Sequence, residues 1–211
     1  MTISSEPKDK TKIWKLKTGF GNIEMMTAEY YTQSFAKHSH DDFPLGVIEK
    51  GAMSFYFRRN NLIAPKGTIN LSYPGEIHNG QSFDHEGWHY RMFYFDLIIL
   101  KKIFLEFQNR KSDLPFFMNG VIEDSYLATF LSWLHKELEL KNLSALETDA
   151  FIVQTISYLI FNYSDQHCEF KKKNINHNSI QKVIDYIQAY YSQNISLPEL
   201  STVSGISPYH F

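Results

Sequence analysis

Between about residue 22 and residue 96, apolar and polar residues follow one another in short runs typical of β-strands. Four runs rich in Val, Ile, Phe and Tyr carry this pattern: residues 45–49, 54–58, 68–73 and 88–95. Turn residues separate the runs, among them Lys50-Gly51, Pro74-Gly75 and Asn79-Gly80. Many short strands at this spacing predict an antiparallel sandwich or barrel.

Beyond Asp96 the apolar period changes to that of helices. Three stripes appear: Leu100, Ile103, Phe104 and Phe107; then Leu127, Phe130, Leu131, Leu134 and Leu138; then Phe151, Ile152, Thr155, Ile156, Leu159, Ile160 and Tyr163. Asp124-Ser125 precedes the second stripe as a cap candidate. The helices predicted at 124–140 and 147–163 could cover the barrel or form an antiparallel dimer seam, because both uses need the same stripe.

The last thirty residues carry the sharpest helix signals. One apolar face is formed by Ile180, Val183, Ile184, Ile187 and Tyr191. Ser196 and Glu199 then form a capping box, with Pro198 in the first turn. Gly205 suits the left-handed conformation of a tight turn, and Ser207-Pro208 opens another helix. A short helix, a glycine turn and a newly capped helix predict a helix-turn-helix, whose latter helix enters the DNA major groove. A small helical bundle with a glycine corner is the alternative.

The stretch ISLPELSTVSGISPYHF, residues 195–211, resembles the first helix-turn-helix of the AraC/XylS family of bacterial transcription regulators. The resemblance implies DNA contacts by Ser207, Pro208, Tyr209 and His210. It also implies a longer intact protein, in which the recognition helix continues and a second helix-turn-helix follows. We therefore expect residues 1–211 alone to bind DNA poorly, because few base or phosphate contacts are present.

A second set of signals is polar and lies among the predicted strands. His38-Ser39-His40 would point both imidazoles to one side of a strand, and His78 could return to meet them on a metal. This arrangement resembles the cupin barrel, whose metal-binding members add a Glu a few residues after His-x-His. Pro44-Leu45 occupies that position here. Three histidines can still hold zinc or iron, whereas isolated histidines more often serve as hydrogen-bonding or packing groups.

Residues 39–51, 65–67 and 74–78 also resemble the arabinose-binding-type sensor domain at the N-terminus of AraC-family regulators. The resemblance implies an effector inside the barrel, contacted by polar side chains and aromatic rings on inward strand faces. The candidate ligand-binding residues are His38, His40, Lys50, His78, Trp88, Tyr90 and Met92. Within 88–92 the even positions would share one strand face, and Trp88 could stack on a sugar. No catalytic residue is predicted.

Composition changes this picture little. Aromatic residues make up 16% of the chain, which suits a bulky core or a pocket wall. The formal net charge of −2 makes DNA binding a matter of a local module. Cys168 is alone and forms no internal disulfide. The N-terminus has no signal-peptide core, and the longest apolar stretch, 93–100, contains Asp96, so we expect a cytoplasmic protein without a membrane partner.

The sequence therefore predicts an α+β protein in three parts. Residues 1–110 form a cupin-like sensor, an antiparallel β-barrel of jelly-roll type. Residues 111–170 form a helical linker and dimerisation segment, and residues 171–211 an incomplete AraC-type helix-turn-helix. The polar stretch 168–179, with its lysine run 171–173, serves as a solvated linker or a phosphate contact.

The predicted function is a ligand-responsive transcription regulator. Its expected partners are a small effector, for which a sugar is one candidate, DNA in the full-length protein, and a second copy in a homodimer; no cofactor is expected. Effector binding would shift the population between two arrangements of barrel and helices. Two alternatives remain: a metal-dependent cupin enzyme (dioxygenase or isomerase) using His38, His40 and His78, and a ligand-free dimerisation scaffold with a solid barrel.

Overall fold

The computed structural model describes residues 8–108, 114–166, 169–170 and 177–211. Cys168 and the lysine run 171–173 lie outside the described residues. The chain divides into two compact units, each built from separate stretches. The first comprises Met1–Leu16, Ile23–Phe95 and Asn119–His135, and the second Lys17–Asn22, Asp96–Met118 and Lys136–Phe211. The boundaries near residues 110 and 170, which separate the predicted sensor, helical linker and helix-turn-helix, stay predictions.

The first unit is built on antiparallel strands. Their bounds are β1 Lys10–Lys17, β2 Asn22–Tyr30, β3 Ser34–His38, β4 Phe43–Phe57, β5 Asn60–Pro65, β6 Ile69–Leu71, β7 His78–Ser82, β8 Trp88–Phe95 and, later in the chain, β10 Val121–Ile122. One path of paired strands runs β1-β2-β8-β4-β6-β10. Outside this path, β4 also pairs with β5 and β7, and β7 pairs with β3. The predicted antiparallel architecture is therefore confirmed. Strand β1 was not predicted, because most of its residues are exposed.

Two predicted turns lie inside strands: Asn79-Gly80 belongs to β7, and Lys50-Gly51 belongs to β4. The chain was expected to break at Lys50-Gly51, but β4 continues through this dipeptide from Phe43 to Phe57. A β-bulge lies there instead, since the pairing with β8 shifts register between Ile48 and Lys50. Because side chains alternate between the two faces of a strand, an extra residue reverses which of the following side chains point inward. The first half of β4 belongs to the β8–β6 path and the second half to the β5 and β7 pairing.

The inner faces of the strands form one apolar cluster. Its members are Met26, Ala28, Tyr30, Ile48, Met53, Phe55, Phe57, Ala64, Trp88, Tyr90 and Met92. The predicted alternation along β8 is confirmed: Trp88, Tyr90 and Met92 are buried together, while His89 and Arg91 point to the other face, where both approach Glu49. Burial of these large side chains supplies the main stabilisation of the unit.

A polar layer lies on the outer face of β8. Arg91 Nε donates to Glu49 at 3.0 Å, and Ser132 also donates to Glu49. His135 is fully buried, and its two ring nitrogens lie 3.1 Å from Arg91 Nη1 and 3.2 Å from the Met92 carbonyl oxygen. Because a carbonyl only accepts, Nε2 carries the proton and Nδ1 accepts from the guanidinium. The layer therefore satisfies buried polar groups.

Helices dominate the second unit. Their bounds are α1 Leu97–Phe104, α2 Ser125–Leu140 (divided between the units after His135), α3 Ala145–Tyr163, α4 His177–Tyr190 and α5 Leu197–Ser204; a 3₁₀ turn spans Pro208–His210, and β9 Phe107–Gln108 pairs with β11 Glu169–Phe170. Asp124 Oδ1 accepts from Leu127 N at 2.9 Å, as the cap prediction required. Helix α3 begins earlier than expected because Ser144 and Glu147 form a capping box.

The predicted end signals around α5 are confirmed. Glu199 accepts from the backbone N–H and hydroxyl of Ser196, both at 2.7 Å. Gly205 ends the helix with φ 67°, in the left-handed region. Ser207 then precedes the 3₁₀ turn, with Pro208 as its first residue. Helix α5 packs on α4 and on the 3₁₀ turn. The assignment of these elements as a DNA-binding helix-turn-helix stays a prediction.

Together these elements make an α+β protein, as predicted. Within the described residues, no helix has the length and apolar character needed to cross a membrane.

Candidate functional site

The first unit contains a cavity of about 340 Å³ on the inner face of its strands. Its polar and titratable lining residues are Thr11, Glu24, His38, His40, Asp42, Asn70, Ser72, His78 and Asn79, with the phenols of Tyr30, Tyr90 and Tyr94. The apolar lining is Ile13, Met26, Phe35, Pro44, Met53, Phe55, Leu71, Gly80 and Met92. A cavity of this volume with apolar walls and a few polar groups is typical of small-molecule sites.

Three histidines converge on this cavity. Strands β3 and β7 place His38 directly opposite His78, and their ring centroids lie 4.5 Å apart. His40 is 4.9 Å from His38 and 5.1 Å from His78 by the same measure. One nitrogen from each ring lies within 4.8 Å of the others. The predicted convergence of the three rings is thus confirmed. Cross-strand pairing brings His38 to His78, whereas His40 lies beyond the end of β3 and not on a strand as predicted.

Backbone carbonyls determine which ring nitrogen carries the proton in His38 and His78. His38 Nδ1 lies 2.8 Å from the Ala36 oxygen, and His78 Nδ1 lies 3.0 Å from the Glu76 oxygen. A carbonyl oxygen only accepts, so both Nδ1 atoms carry the proton. The Nε2 atoms of His38 and His78 are therefore left as acceptors in the neutral rings.

Burial keeps His40 and His78 neutral. Loss of solvent lowers the pKa of His40 to about 4, with further lowering by His78 and then His38. Burial is also the main cause of the lowered pKa of His78. Both effects disfavour the imidazolium form. At neutral pH, His40 and His78 present unprotonated nitrogen to the cavity.

The three histidines supply part of the ligand set that a divalent transition metal needs. His38, His40 and His78 would hold the ion, which would act there as a Lewis acid. Carbonyl-bound Nδ1–H groups orient two of these rings in the way that supporting hydrogen bonds orient metal ligands. At the position of the carboxylate in the metal-binding cupin pattern, a few residues after His-x-His, this chain has Pro44, which lines the cavity, and Leu45, which is buried.

Three tyrosines form an aromatic wall on β2 and β8. Tyr30 is 6.0 Å from Tyr90 between ring centroids, and Tyr94 lies 5.2 Å from the His40 ring. Thr11 donates its hydroxyl to the Tyr30 oxygen at 2.7 Å. Burial raises the pKa values of Tyr90 and Tyr94, so both phenols remain protonated at physiological pH.

Asn70 places a carboxamide at the cavity wall. The residue is 8% exposed, and its Oδ1 has no hydrogen-bond partner among the described residues. Its Nδ2 lies 3.8 Å from the Met92 sulfur. Gly46 makes room for both side chains, because a Cβ there would overlap the sulfur and lie 2.8 Å from Asn70 Oδ1. A buried carbonyl oxygen without a donor is uncommon in native structures and marks this wall as a place for a ligand donor.

The predicted ligand residues divide into two groups. His38, His40, His78, Tyr90 and Met92 line the cavity. Lys50 and Trp88 do not: Lys50 is exposed, and Trp88 is 2% exposed within the apolar cluster. For Lys50 the cause is the bulge, because Lys50 pairs with the outward-facing His89. Trp88 has the predicted parity but packs at 5.1 Å against Tyr30.

Sequence reasoning missed several lining residues. Tyr94 continues the even parity of 88–92, so the same alternation would have found it. Glu24, Met26 and Tyr30 face the cavity because they pair with Tyr94, Met92 and Trp88 across β2 and β8. Asn70 carries no local signal, since it lies on the three-residue strand β6.

In the second unit, the residues predicted to contact DNA meet an acidic side chain. Ser207 donates to Glu106 at 3.0 Å, and His210 Nδ1 lies 2.7 Å from the same hydroxyl oxygen. A hydroxyl has one proton, so His210 donates to Ser207. Tyr209 packs 6.2 Å from Phe20, and burial raises its pKa. Pro208 begins the turn that holds these side chains.

The family assignment follows from the sequence profile of the AraC-like ligand binding domain, which matches residues 20–156. The chain belongs to this family. The match covers β2 to β8 and continues into α3, while β1, which brings Thr11 and Ile13 to the cavity, precedes it. The cavity of this AraC-like ligand-binding domain is therefore the place to seek its ligand.

A curated bacterial protein is similar to most of this chain. The AraC-like chain is 25% identical over 189 residues to an uncharacterized HTH-type transcriptional regulator, YbfI, of Bacillus subtilis (strain 168). The match covers 90% of this chain and 68% of the relative.

Solved structures resemble a part of the chain. A cupin superfamily protein from Desulfitobacterium hafniense has 9% identity and a TM-score of 0.37, covering 44% of this chain and 83% of its own. An RmlC-like cupin family protein with a double-stranded β-helix fold, from Methanocaldococcus jannaschii, has 11% identity and a TM-score of 0.37, covering 44% and 87%. KdgF from Halomonas sp. has 13% identity and a TM-score of 0.35, covering 42% and 82%.

Proposed function

We propose that this chain is the effector-sensing part of a ligand-responsive transcription regulator that works in the cytoplasm. The observation that carries the proposal is the cavity of about 340 Å³, with histidine, tyrosine and asparagine groups facing an otherwise apolar wall. The family of ligand-binding domains and the relative described as an HTH-type transcriptional regulator support it. A small molecule is the effector, and the chain has no catalytic role.

The effector acts by differential binding. A ligand that fits one arrangement of the protein better than another shifts the population towards it, by no more than the difference in affinity. Helices α4 and α5 and the turn Pro208–His210 would form a helix-turn-helix, in which Ser207, Tyr209 and His210 meet DNA. Two copies would pair through α2 or α3, since operators are usually read by paired modules.

A thermal-shift screen of small molecules tests the sensor proposal. A molecule that binds only the folded chain raises the melting temperature, by an amount that grows with the ratio of its concentration to its Kd. The shift should disappear in Met53→Trp, which fills the cavity wall, and persist in the exposed control Ile63→Trp. If every hit shifts both variants equally, the ligand binds elsewhere and the cavity is not the effector site.

The second candidate is a metal-dependent cupin enzyme. The convergence of His38, His40 and His78 within 4.8 Å favours it. Elemental analysis of purified protein decides between the two. Stoichiometric zinc, iron or manganese that is lost in His78→Ala and retained in the exposed control His85→Ala would favour the enzyme. Metal below a tenth of the protein concentration in all three samples would favour the sensor.

A further inference from the structure

The charge of the cavity wall constrains the chemistry of the effector. Two carboxylates, Glu24 and Asp42, belong to the lining, and no lysine or arginine lines the cavity within the described part of the chain. Lys15 lies 3.9 Å from Glu24, but both side chains are substantially exposed. Such a pair is weak in water and adds no positive charge to the cavity wall. An anionic ligand would meet no cationic partner there.

The buried polar groups of the wall are rich in acceptors. Asn70 Oδ1 has no hydrogen-bond partner among the described residues and belongs to a residue that is 8% exposed. In their neutral rings, the Nε2 atoms of His38 and His78 are acceptors, because their Nδ1 atoms donate to backbone carbonyls. A ligand that donates several hydrogen bonds would satisfy these groups together.

Aromatic faces add a second attraction for positive charge. Tyr30, Tyr90 and Tyr94 line one side of the cavity, and Phe35 and Phe55 also line it. A cation is attracted to the face of such rings, most strongly where water is excluded. Tyr90 is 6% exposed and Tyr30 7% exposed, so this side of the cavity is largely dry.

We propose that the effector is a small organic cation, a primary ammonium compound, which the acceptor atoms of Asn70 and the histidine cluster and the negative charge of Glu24 favour over a neutral or anionic ligand. This inference rests on the proposed sensor function of the same cavity. An ammonium group supplies three donors and one positive charge, which an acceptor-rich, acidic wall lacks. The apolar side of the wall, with Met26, Met53 and Leu71, takes the carbon skeleton.

A matched ligand series tests the sign of the charge. The probes are 2-phenylethylamine, 2-phenylethanol and 3-phenylpropanoate, which share one aromatic skeleton and are cationic, neutral and anionic at neutral pH. L-Arabinose represents a neutral sugar, and zinc chloride represents a metal ion. Calorimetric titration of residues 1–211, with a chelator in all but the zinc arm, gives the affinities. We expect the amine to bind at least about tenfold more tightly than the alcohol, because one charge-assisted hydrogen bond adds about this much affinity. The carboxylate should show no saturable binding.

Variants locate the bound cation. Glu24→Gln should weaken the amine about tenfold and leave the alcohol unchanged, because it removes charge while conserving shape. Glu29→Gln is the matched control, since Glu29 lies on the same strand, pairs with Lys10 and does not line the cavity. Asn70→Leu should weaken the amine as well. Thermal unfolding of each variant verifies that it is folded.

The outcomes distinguish a failure of the cation inference from a failure of the proposed sensor function. Carboxylate, alcohol or arabinose binding as tightly as the amine overturns the cation inference and leaves the sensor function standing. Zinc binding that His78→Ala abolishes, without amine binding, overturns it in favour of a metal site. Saturable binding by none of the five probes contradicts the cation inference. Sensor function itself fails only if the thermal-shift screen also yields no ligand that the cavity-filling Met53→Trp variant loses.

Discussion

Asp149, buried in helix α3, accepts a hydrogen bond from the backbone N–H of Leu197, the first residue of α5, at 3.3 Å. Its other carboxylate oxygen accepts from the Gly19 N–H at 2.9 Å. One side chain thus ties a loop near the start of the chain to the first turn of α5, where N–H groups have no partner within the helix. A side chain of α3 therefore holds the first turn of α5 in place.

Replacing Asp149 by Asn should destabilise the protein. A carboxamide keeps the shape but has one acceptor oxygen, so one of the two N–H groups loses its partner. We expect a loss of about 1–2 kcal/mol in the free energy of unfolding at pH 7. Urea denaturation measures it. The exposed control Asp185→Asn should change stability by less than about 0.5 kcal/mol. Equal effects at both positions would contradict a linking role for Asp149.

The same variant should change the acid dependence of stability. Burial is the main cause of the raised pKa of Asp149, despite opposing hydrogen bonds from Gly19 and Leu197. The folded state therefore binds this proton more tightly than the unfolded state. Stability then gains as pH falls through the raised pKa towards 3.8, and the gain is absent at neutral pH. The advantage of wild type over Asp149→Asn should grow on acidification across this window.

His40 has the opposite sign. Its pKa is lowered from 6.5 to about 4, chiefly by burial, so the unfolded chain binds the proton more tightly. The stability that depends on neutral His40 is complete above pH 6.5 and is lost as pH falls towards 4. His40→Gln should flatten the stability profile between these values, measured in the presence of a chelator. The exposed His85→Gln should leave the profile unchanged.

Two glycines in the cavity region should respond differently to alanine. A Cβ at Gly46 would overlap the Met92 sulfur and approach the Arg91 backbone oxygen at 3.1 Å. Overpacking of this kind costs about 1–3 kcal/mol. At Gly80 the nearest atom would be the Met53 sulfur at 3.5 Å, an ordinary contact. Thermal unfolding should therefore show a lower melting temperature for Gly46→Ala alone. A similar loss in Gly80→Ala would contradict the packing at Gly46.

Glu106 should order the end of the chain. Its carboxylate accepts from Ser207, and His210 Nδ1 lies 3.8 Å away. Glu106→Gln weakens both interactions, worth about 1 kcal/mol together. Amide hydrogen exchange across Gly205–Phe211 should then become about fivefold faster. Glu123→Gln, an exposed substitution of the same charge, is the control. Unchanged exchange in Glu106→Gln would show that Phe20 and Tyr209 hold this segment without Glu106.

Local patterns predicted much of this protein because they act over a few residues. Alternation along 88–92 predicted which side chains point inward, and the cap residues Ser196, Glu199 and Gly205 predicted the ends of α5. The convergence of His38, His40 and His78 was also predicted, although His40 lies beyond the end of β3 and not on a strand. The family resemblance of residues 39–51, 65–67 and 74–78 pointed to the sensor domain that the profile match confirms.

Tertiary pairing decided the rest of the site. The bulge between Ile48 and Lys50 exchanges the faces of β4, so Met53 and Phe55 enter the cavity while Lys50 leaves it. Such an inserted residue depends on the partner strand and leaves no pattern in β4 itself. Asn70 and Glu24 reach the cavity through pairing with distant strands. Periodicity in the sequence thus determined which side chains turn inward along each strand, and the register between strands decided which of them share one cavity.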